Sequence, residues 1–131
     1  MSTLKVTNIQ SNAAGFNDVV SFQNSGGTQN GTLCRAFINF NGTGVIAPRA
    51  SFNVSEITDN GTGDYIITLT NALTDANFTA LSTSGNNVFR NPGANTIHAR
   101  TTTSLRVIHY EDNEPLQEAY DVEDIDVAVF R

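Results

Sequence analysis

Glycine-rich loops are the first candidates for a phosphate-binding or calcium-binding site in this 131-residue sequence. The segment DNGTGD, residues 59–64, has no lysine and no later glycine at the spacing that a phosphate-binding loop needs. Gly61 also stands where a calcium loop requires an oxygen-bearing side chain. Asn60-Gly61 and Gly63 are instead typical of a hairpin turn with positive φ angles. We therefore predict a glycine-bulged hairpin here, without a nucleotide or calcium ion.

An acidic segment is the second candidate. Residues 111–126 contain eight acidic residues and no basic one. Hard cations bind clustered oxygens, so the segment suits a divalent-cation site, but a block of like charge is more often a solvated loop. We favour the solvated loop and predict no metal and no cofactor. The cation site would use the carboxylates of Asp121, Glu123, Asp124 and Asp126.

The two histidines and the single cysteine give no catalytic pattern. His98 and His109 are eleven residues apart, and nothing around them is spaced like a catalytic triad or a zinc site. His109 follows Leu105 and Val107 on an apolar face, which predicts a hydrogen-bonded interior or interface histidine. Cys34 alternates with apolar residues, which predicts a buried, unreactive thiol. The sequence therefore predicts a protein that is not an enzyme.

Composition excludes two classes of partner. One lysine and six arginines are outnumbered by thirteen acidic residues, for a net charge of −6. A chain with this balance has no basic surface for nucleic acid or for an anionic membrane. No run approaches the roughly 18 apolar residues of a spanning helix, and the first ten residues lack the apolar core of a signal peptide. We expect no membrane insertion and synthesis in the cytoplasm.

From residue 33 onward, apolar residues recur with a period of two, and glycine or proline falls between the runs. This pattern predicts an all-β fold, an antiparallel β-sandwich. One helical turn is expected at residues 115–119, and SLRVIHYE is expected to pair with DIDVAVFR. The predicted strands are 33–40, 45–47, 52–58, 64–70, 77–83, 97–101, 104–110 and 125–131.

Residues 1–32 differ in composition, and we treat them as a short N-terminal arm before a sandwich domain at residues 33–131. Gly26-Gly27 and Asn30-Gly31 are typical of a flexible joint. LKVTNIQ, residues 4–10, suits an edge strand followed by a loop, or an attachment or oligomerisation arm that becomes ordered only against a partner. The sequence leaves both interpretations open.

Several strands are apolar on both faces. One set of faces makes the core, with Ala36, Ile38 and Phe40 as an example. A solvated sheet face would be polar, so apolar residues opposite the core indicate a thicker core or a subunit interface. For so small a domain we favour the interface. Leu33 is among these opposite-face residues, and the predicted interface set is Phe37, Ile66, Ile108, Tyr110 and Phe130.

A family resemblance rests on FNVSEITDNGTGDYIITLTNAL and the preceding CRAFINFNGTG. These segments, with DIDVAVFR at the end and LKVTNIQ at the start, resemble a domain found near the C-terminus of tail-fibre and related structural proteins of bacteriophages, particularly marine ones. The resemblance covers residues 33–131 and is thin between 86 and 102. It implies a virion location, a homotrimer and a structural role.

Three functions follow as expectations. The first is a tail-fibre or fibre-tip component that attaches to the host surface, with its arm bound to other virion proteins. Its loops NGTG, DNGTGD and 84–95 would then bind bacterial-surface glycan, because rigid strands present loops well. The second is a capsid decoration or head-fibre protein, and the third is a cytoplasmic carbohydrate-binding module. The residues predicted to bind glycan are Asn60, Asp64, Asn86, Asn87 and Arg90.

Overall fold

The computed structural model describes residues 19–24, 26–85, 94–113 and 116–131. Within these residues there are eleven β-strands and no helix, so the predicted all-β class is confirmed. None of the described residues forms a helix of the length and apolar character that crossing a membrane requires. The chain divides into two compact units, Met1–Leu33 and Cys34–Arg131, which are described separately below.

The first unit contains a two-stranded antiparallel hairpin. β1 (Val19–Asn24) pairs with β2 (Gly27–Thr32) from Val19↔Thr32 to Asn24↔Gly27. The flexible joint predicted at Gly26-Gly27 and Asn30-Gly31 is therefore wrong, because these residues form the hairpin turn and part of β2. Gly27 has a φ of 133° at this turn. Glycine adopts such an angle readily, whereas residues with a side chain rarely do. The strand predicted at residues 4–10 lies outside the described residues.

The second unit is built from two antiparallel sheets, consistent with a β-sandwich. In the four-stranded sheet the spatial order is β4 (Ala47–Phe52), β3 (Cys34–Asn41), β11 (Asp124–Phe130) and β7 (Thr79–Gly85). In the five-stranded sheet the order is β10 (Leu116–Ala119), β9 (Ser104–Asn113), β6 (Asp64–Leu69) and β5 (Val54–Asp59), with β8 (Ala94–Arg100) also paired to β9.

The core lies between the inner faces of these two sheets. Alternate residues of the central strands are buried because successive side chains of a strand point to opposite faces. Phe40 of the four-stranded sheet meets Tyr65 of the five-stranded sheet edge to face, with 5.1 Å between ring centroids. The core members on the central strands are Ala36, Ile38, Phe40, Tyr65, Ile67, Leu69, Leu105, Val107, Ile125, Val127 and Val129.

The largest strand-boundary error falls at the crossing between the sheets. Strands were predicted at 45–47 and 52–58, whereas β4 and β5 meet at Asn53, whose φ is 57°. Pro48 is predicted to lie between strands, but it lies within β4, opposite Phe40 at a register shift. A proline is tolerated there because β4 is an edge strand and needs no ladder donor on its open side.

Two predictions about residues 104–131 are also wrong. The expected helical turn at 115–119 is replaced over its described part by β10, which pairs with the end of β9. β9 and β11, predicted to be neighbours, lie in different sheets: β9 pairs with β6, β8 and β10, and β11 pairs with β3 and β7. Both outcomes depend on long-range pairing, which local propensity does not encode.

Cys34 is exposed, so the prediction of a buried thiol is wrong. It lies at the first position of β3, where the pairing with β11 shifts register between Val129 and Phe130. Because of this shift, Cys34 does not share the buried face of Ala36. Its thiol is 3.2 Å from the carbonyl oxygen of Ala36.

Candidate functional site

Three loops meet at one end of the sandwich: residues 42–46, 60–63 and 120–123. The backbone N–H of Gly42 donates to the carbonyl of Val122 at 2.9 Å. The N–H of His109 donates to the carbonyl of Gly63 at 2.8 Å, and the N–H of Tyr120 donates to the carbonyl of His109 at 3.1 Å. Backbone hydrogen bonds therefore tie NGTG to the acidic segment directly, and DNGTGD to it through His109.

The DNGTGD turn has the predicted glycine conformations. Gly61 and Gly63 have φ angles of 121° and 66°, which confirms a connection with special backbone angles at both glycines. The N–H of Asn60 donates to the carbonyl of Asp64, and the N–H of Asp64 donates to the carbonyl of Gly61, each at 2.9 Å. The carboxylate of Asp59 accepts the N–H of Gly61 at 2.9 Å. This turn is closed by its own hydrogen bonds.

Asp121 connects this turn to the core. Its carboxylate accepts the N–H of Gly63 at 2.6 Å and lies 2.9 Å from the hydroxyl of Tyr65. The same hydroxyl lies 2.8 Å from the carbonyl of Gly42, so its single proton is shared between two acceptors. Burial, aided by the Asp121 carboxylate, raises the pKa of Tyr65 above its ordinary value. Asp121 therefore acts as a structural acceptor that joins three loops.

The other carboxylates of the acidic segment do not converge. Asp124 forms an ion pair with Arg49, and Asp126 accepts a hydrogen bond from the Asn39 amide at 2.7 Å. Among the described residues, no group of three or more His, Cys, Asp or Glu side chains is arranged to hold a metal ion. The carboxylates of Asp121, Asp124 and Asp126 are thus distributed among different protein partners.

Asp64 lies on the outer face of the five-stranded sheet, where it is only 9% exposed. Arg106 binds the Asp64 carboxylate through two guanidinium nitrogens, and its Nε lies 2.8 Å from Oδ1. The side-chain amide of Asn60 donates to Oδ2 at 2.7 Å. Asp64 thus has little surface left for a ligand, whereas Asn60 is exposed in the turn. The other three predicted glycan-binding residues, Asn86, Asn87 and Arg90, lie outside the described residues.

The Asp64–Arg106 pair predicts an acid-dependent loss of stability. Hydrogen bonds from Arg106 hold the pKa of Asp64 below its ordinary value of 3.8. A depressed folded-state pKa stabilises the fold above the unfolded-state pKa, and this contribution is lost as pH falls through the folded-state value. In urea titrations below about pH 4, we expect wild type to lose stability more steeply with falling pH than Asp64→Asn.

Glu56→Gln is the matched control for this prediction, because Glu56 is an exposed carboxylate of the same sheet. It is expected to leave stability at pH 7 unchanged, whereas Asp64→Asn lowers it by removing the ion pair. Equal acid slopes in wild type and Asp64→Asn would contradict the assigned role of the pair.

The outer face of the four-stranded sheet carries an exposed apolar strip. Register places Phe52, Phe37, Ala128 and Leu81 side by side across all four strands, and these residues are called the apolar strip below. Phe52, Phe37 and Leu81 are 55%, 42% and 59% exposed. The two rings are stacked, with centroids 6.3 Å apart. These three large apolar side chains are therefore contiguous rather than scattered singly over the sheet face.

A shallow groove of about 250 Å³ crosses the apolar strip. Its walls are Phe37 and Leu81, and its floor is formed where the small side chain of Ala128 lies between them. Thr83 and Asp126 line the polar side of the groove.

The five residues predicted for a trimer interface fall on two different outer faces. Phe37 and Phe130 belong to the four-stranded sheet, and Ile66, Ile108 and Tyr110 belong to the five-stranded sheet. Ile66, Tyr110 and Phe130 are half-buried, and Ile108 is 8% exposed. Ile108 therefore contributes little surface to any partner.

Sequence reasoning missed three members of the apolar strip: Ala128 and the two large residues Phe52 and Leu81. Leu81 is the one large apolar residue in the strand TALSTSG, and this isolation among polar residues was a usable signal. Phe52 is the one large apolar side chain at the end of APRASF, but its position opposite Phe37 depends on the pairing of β4 with β3. No local pattern indicates which strand lies beside β3.

His109 agrees with its prediction. It is 3% exposed, and its Nδ1 lies 2.7 Å from Oδ1 of Asn95. His98 lies on the outer face of the five-stranded sheet, opposite Arg106 in the register. The two histidines are therefore separated by the sheet and do not form one site.

Comparisons with known proteins identify no relative: no family model, no curated protein and no solved structure matches this chain.

Proposed function

We propose that this protein is a structural component of a bacteriophage virion, a homotrimer that acts in attachment to the host surface. The apolar strip is the observation that carries the proposal. Phe37, Phe52 and Leu81 form one exposed apolar row, and contiguous rows of this kind are typical of surfaces that bind another protein. The resemblance of residues 33–131 to tail-fibre domains supports a virion as the assembly to which that partner belongs.

The loops at one end of the sandwich support the attachment role. The turn at residues 60–63 is closed by its own hydrogen bonds and exposes Asn60. The Asn60 amide nitrogen donates to Asp64, and its side-chain oxygen suits a hydrogen bond from a hydroxyl of a bacterial-surface glycan. Asp121 and Asp124 are occupied by Tyr65, Gly63 and Arg49, which supports binding rather than acid–base catalysis at this end. We therefore assign the protein a non-enzymatic role.

Localisation on purified particles tests this function. We expect the chain to be detected by mass spectrometry in gradient-purified virions and to be labelled by specific antibody at the fibre or tail. Label on the capsid would instead support a decoration or head-fibre protein. Absence from the particles, with the protein remaining in the cell lysate, would contradict a virion role and favour a cytoplasmic carbohydrate-binding module.

The N-terminal segment is proposed to attach the domain to other virion proteins. A chain that lacks residues 1–28 is the variant to use in an add-back assay on particles that lack the protein. We expect it to keep the far-UV dichroism of the sandwich domain but not to join the particles. Normal incorporation would mean that attachment uses the sandwich itself.

A further inference from the structure

The three loops that meet at one end of the sandwich, residues 42–46, 60–63 and 120–123, are called the loop end below. Tyr120 and Val45 are 37% and 87% exposed there, so large side chains reach solvent at the loop end as well as on the apolar strip. Asn60 and Thr62 are exposed on the turn between β5 and β6. The loop end therefore combines an aromatic ring with hydrogen-bonding groups.

The backbone of Tyr120 is held beside the DNGTGD turn by the edge of β9. His109 lies between Ile108, which pairs with β6, and Tyr110, which pairs with β10. The N–H of His109 donates to the carbonyl of Gly63 at 2.8 Å, and its carbonyl accepts the N–H of Tyr120 at 3.1 Å. A Cβ on Gly63 would lie 2.5 Å from the Tyr120 nitrogen, so the two backbones are in contact. Tyr120 and the turn therefore form one surface.

The polar groups beside Tyr120 are hydrogen-bond acceptors. The Asn60 amide nitrogen donates to Asp64 at 2.7 Å, which leaves the side-chain oxygen of Asn60 as the group offered to a ligand. Asp59 is exposed, and its carboxylate accepts the N–H of Gly61 at 2.9 Å. A carboxylate accepts several hydrogen bonds at once, so Asp59 can accept further ones from a ligand.

A sugar ring suits an aromatic ring flanked by acceptors. One face of a pyranose is made of C–H groups, which pack on an aromatic ring, and its edge carries hydroxyls, which donate hydrogen bonds. We infer that Tyr120 is the residue on which a sugar ring of the glycan stacks, with Asn60 and Asp59 accepting hydrogen bonds from its hydroxyls. This inference rests on the proposed glycan-binding role of the loop end.

The charges of the loop end limit the class of glycan. The three loops contain no lysine or arginine, whereas Glu123 and the adjoining Asp59 are exposed carboxylates. Arg49 and Arg106 are already in ion pairs with carboxylates of their own chain. Like charges brought together oppose binding, and opposite charges favour it. The site therefore takes glycans whose sugars are uncharged or carry an amino group, and it rejects those that carry carboxylate or phosphate.

An array of immobilised bacterial polysaccharides tests the inference, with its members grouped as uncharged, amino-bearing, and carboxylate- or phosphate-bearing. We expect the full chain to bind members of the first two groups and none of the third. Tyr120→Ala should lower the affinity for the bound polysaccharides about tenfold, and Tyr120→Phe should lower it less because it keeps the ring. Thr102→Ala is the control, because Thr102 is exposed in the turn before β9, at the other end of β6 from DNGTGD.

A second variant tests the charge restriction with Tyr120 left unchanged. Asp59→Asn and Glu123→Gln, combined in one chain, remove two exposed carboxylates and keep side chains of nearly the same shape. We expect this chain to gain binding to the carboxylate- or phosphate-bearing group and to lose affinity for the amino-bearing group. Far-UV dichroism of each variant establishes that the sandwich is folded. An unchanged preference among the three groups would overturn the charge restriction.

Two further outcomes separate the inference from the proposed function. Undiminished binding by Tyr120→Ala, or wild-type binding confined to the carboxylate- or phosphate-bearing group, would overturn the inference and leave glycan attachment intact. Binding of wild type to no polysaccharide of any group would overturn both the inference and the glycan-binding role of the loop end.

Discussion

Replacing Gly63 with alanine is expected to lower the free energy of unfolding by about 3 kcal/mol, through the sum of backbone strain and overpacking. The φ of Gly63 is 66°, which strains any residue with a Cβ. An added Cβ would also lie 2.5 Å from the backbone nitrogen of Tyr120 and 2.7 Å from the carbonyl oxygen of His109. Backbone atoms on two neighbouring segments cannot retreat without breaking their own hydrogen bonds.

Gly44→Ala is the matched control for this experiment. The φ of Gly44 is 64°, almost the same as that of Gly63, and an added Cβ meets nothing within 4 Å. This variant therefore carries the strain alone, about 1–2 kcal/mol. The difference between the two variants in urea denaturation measures the close approach of the turn to Tyr120. Equal losses would show that the turn does not lie against that segment.

Replacing Asn53 with alanine is expected to cost about 2–3 kcal/mol, from lost hydrogen bonds and from a strained φ. The Asn53 amide donates to the carbonyls of Arg35 and Asn71 at 3.0 and 3.2 Å. Its carbonyl oxygen accepts the backbone N–H of Asn71 at 2.8 Å. The chain passes from the four-stranded to the five-stranded sheet at Asn53. The side chain of Asn53 thus ties this crossing to β3 and to the residues that follow β6. Asparagine tolerates its φ of 57° better than alanine does.

Asn53→Gly separates the two contributions. Glycine adopts the positive φ freely but makes none of the side-chain hydrogen bonds, so it is expected to be more stable than Asn53→Ala and less stable than wild type. Differential scanning calorimetry of the three proteins gives the order. If the glycine variant is as unstable as the alanine variant, φ strain contributes nothing at this position.

The sequence by itself determined the features of this protein that depend on neighbouring residues. Period-two alternation identified the core faces of β3, β6 and β11, because a strand turns every second side chain to the same side. Glycine placement identified the positive φ angles of Gly61 and Gly63, because few other residues adopt them. The alternation of Leu105, Val107 and His109 likewise identified a buried histidine.

For the candidate site, the sequence identified Phe37 as apolar opposite the core, but it did not indicate which face Phe37 shares with which other residues. It grouped Phe37 with Ile66, and the two lie on opposite outer faces. It predicted Asp64 to bind a ligand, whereas the Asp64 carboxylate accepts hydrogen bonds from Arg106, forty-two residues away. The sequence within a few residues of Phe37 or of Asp64 does not indicate either of these contacts.

Only the tertiary structure decided how the strands are ordered. β9 and β11 are adjacent in neither sheet, and β10 forms where a helical turn was predicted, because the pairing of strands is a long-range choice. That choice places Phe52 and Leu81 beside Phe37 and Ala128, and so creates the apolar strip. The hydrophobic pattern determines which side of each strand faces inward, but the partner of each strand is selected by the packing of the whole domain.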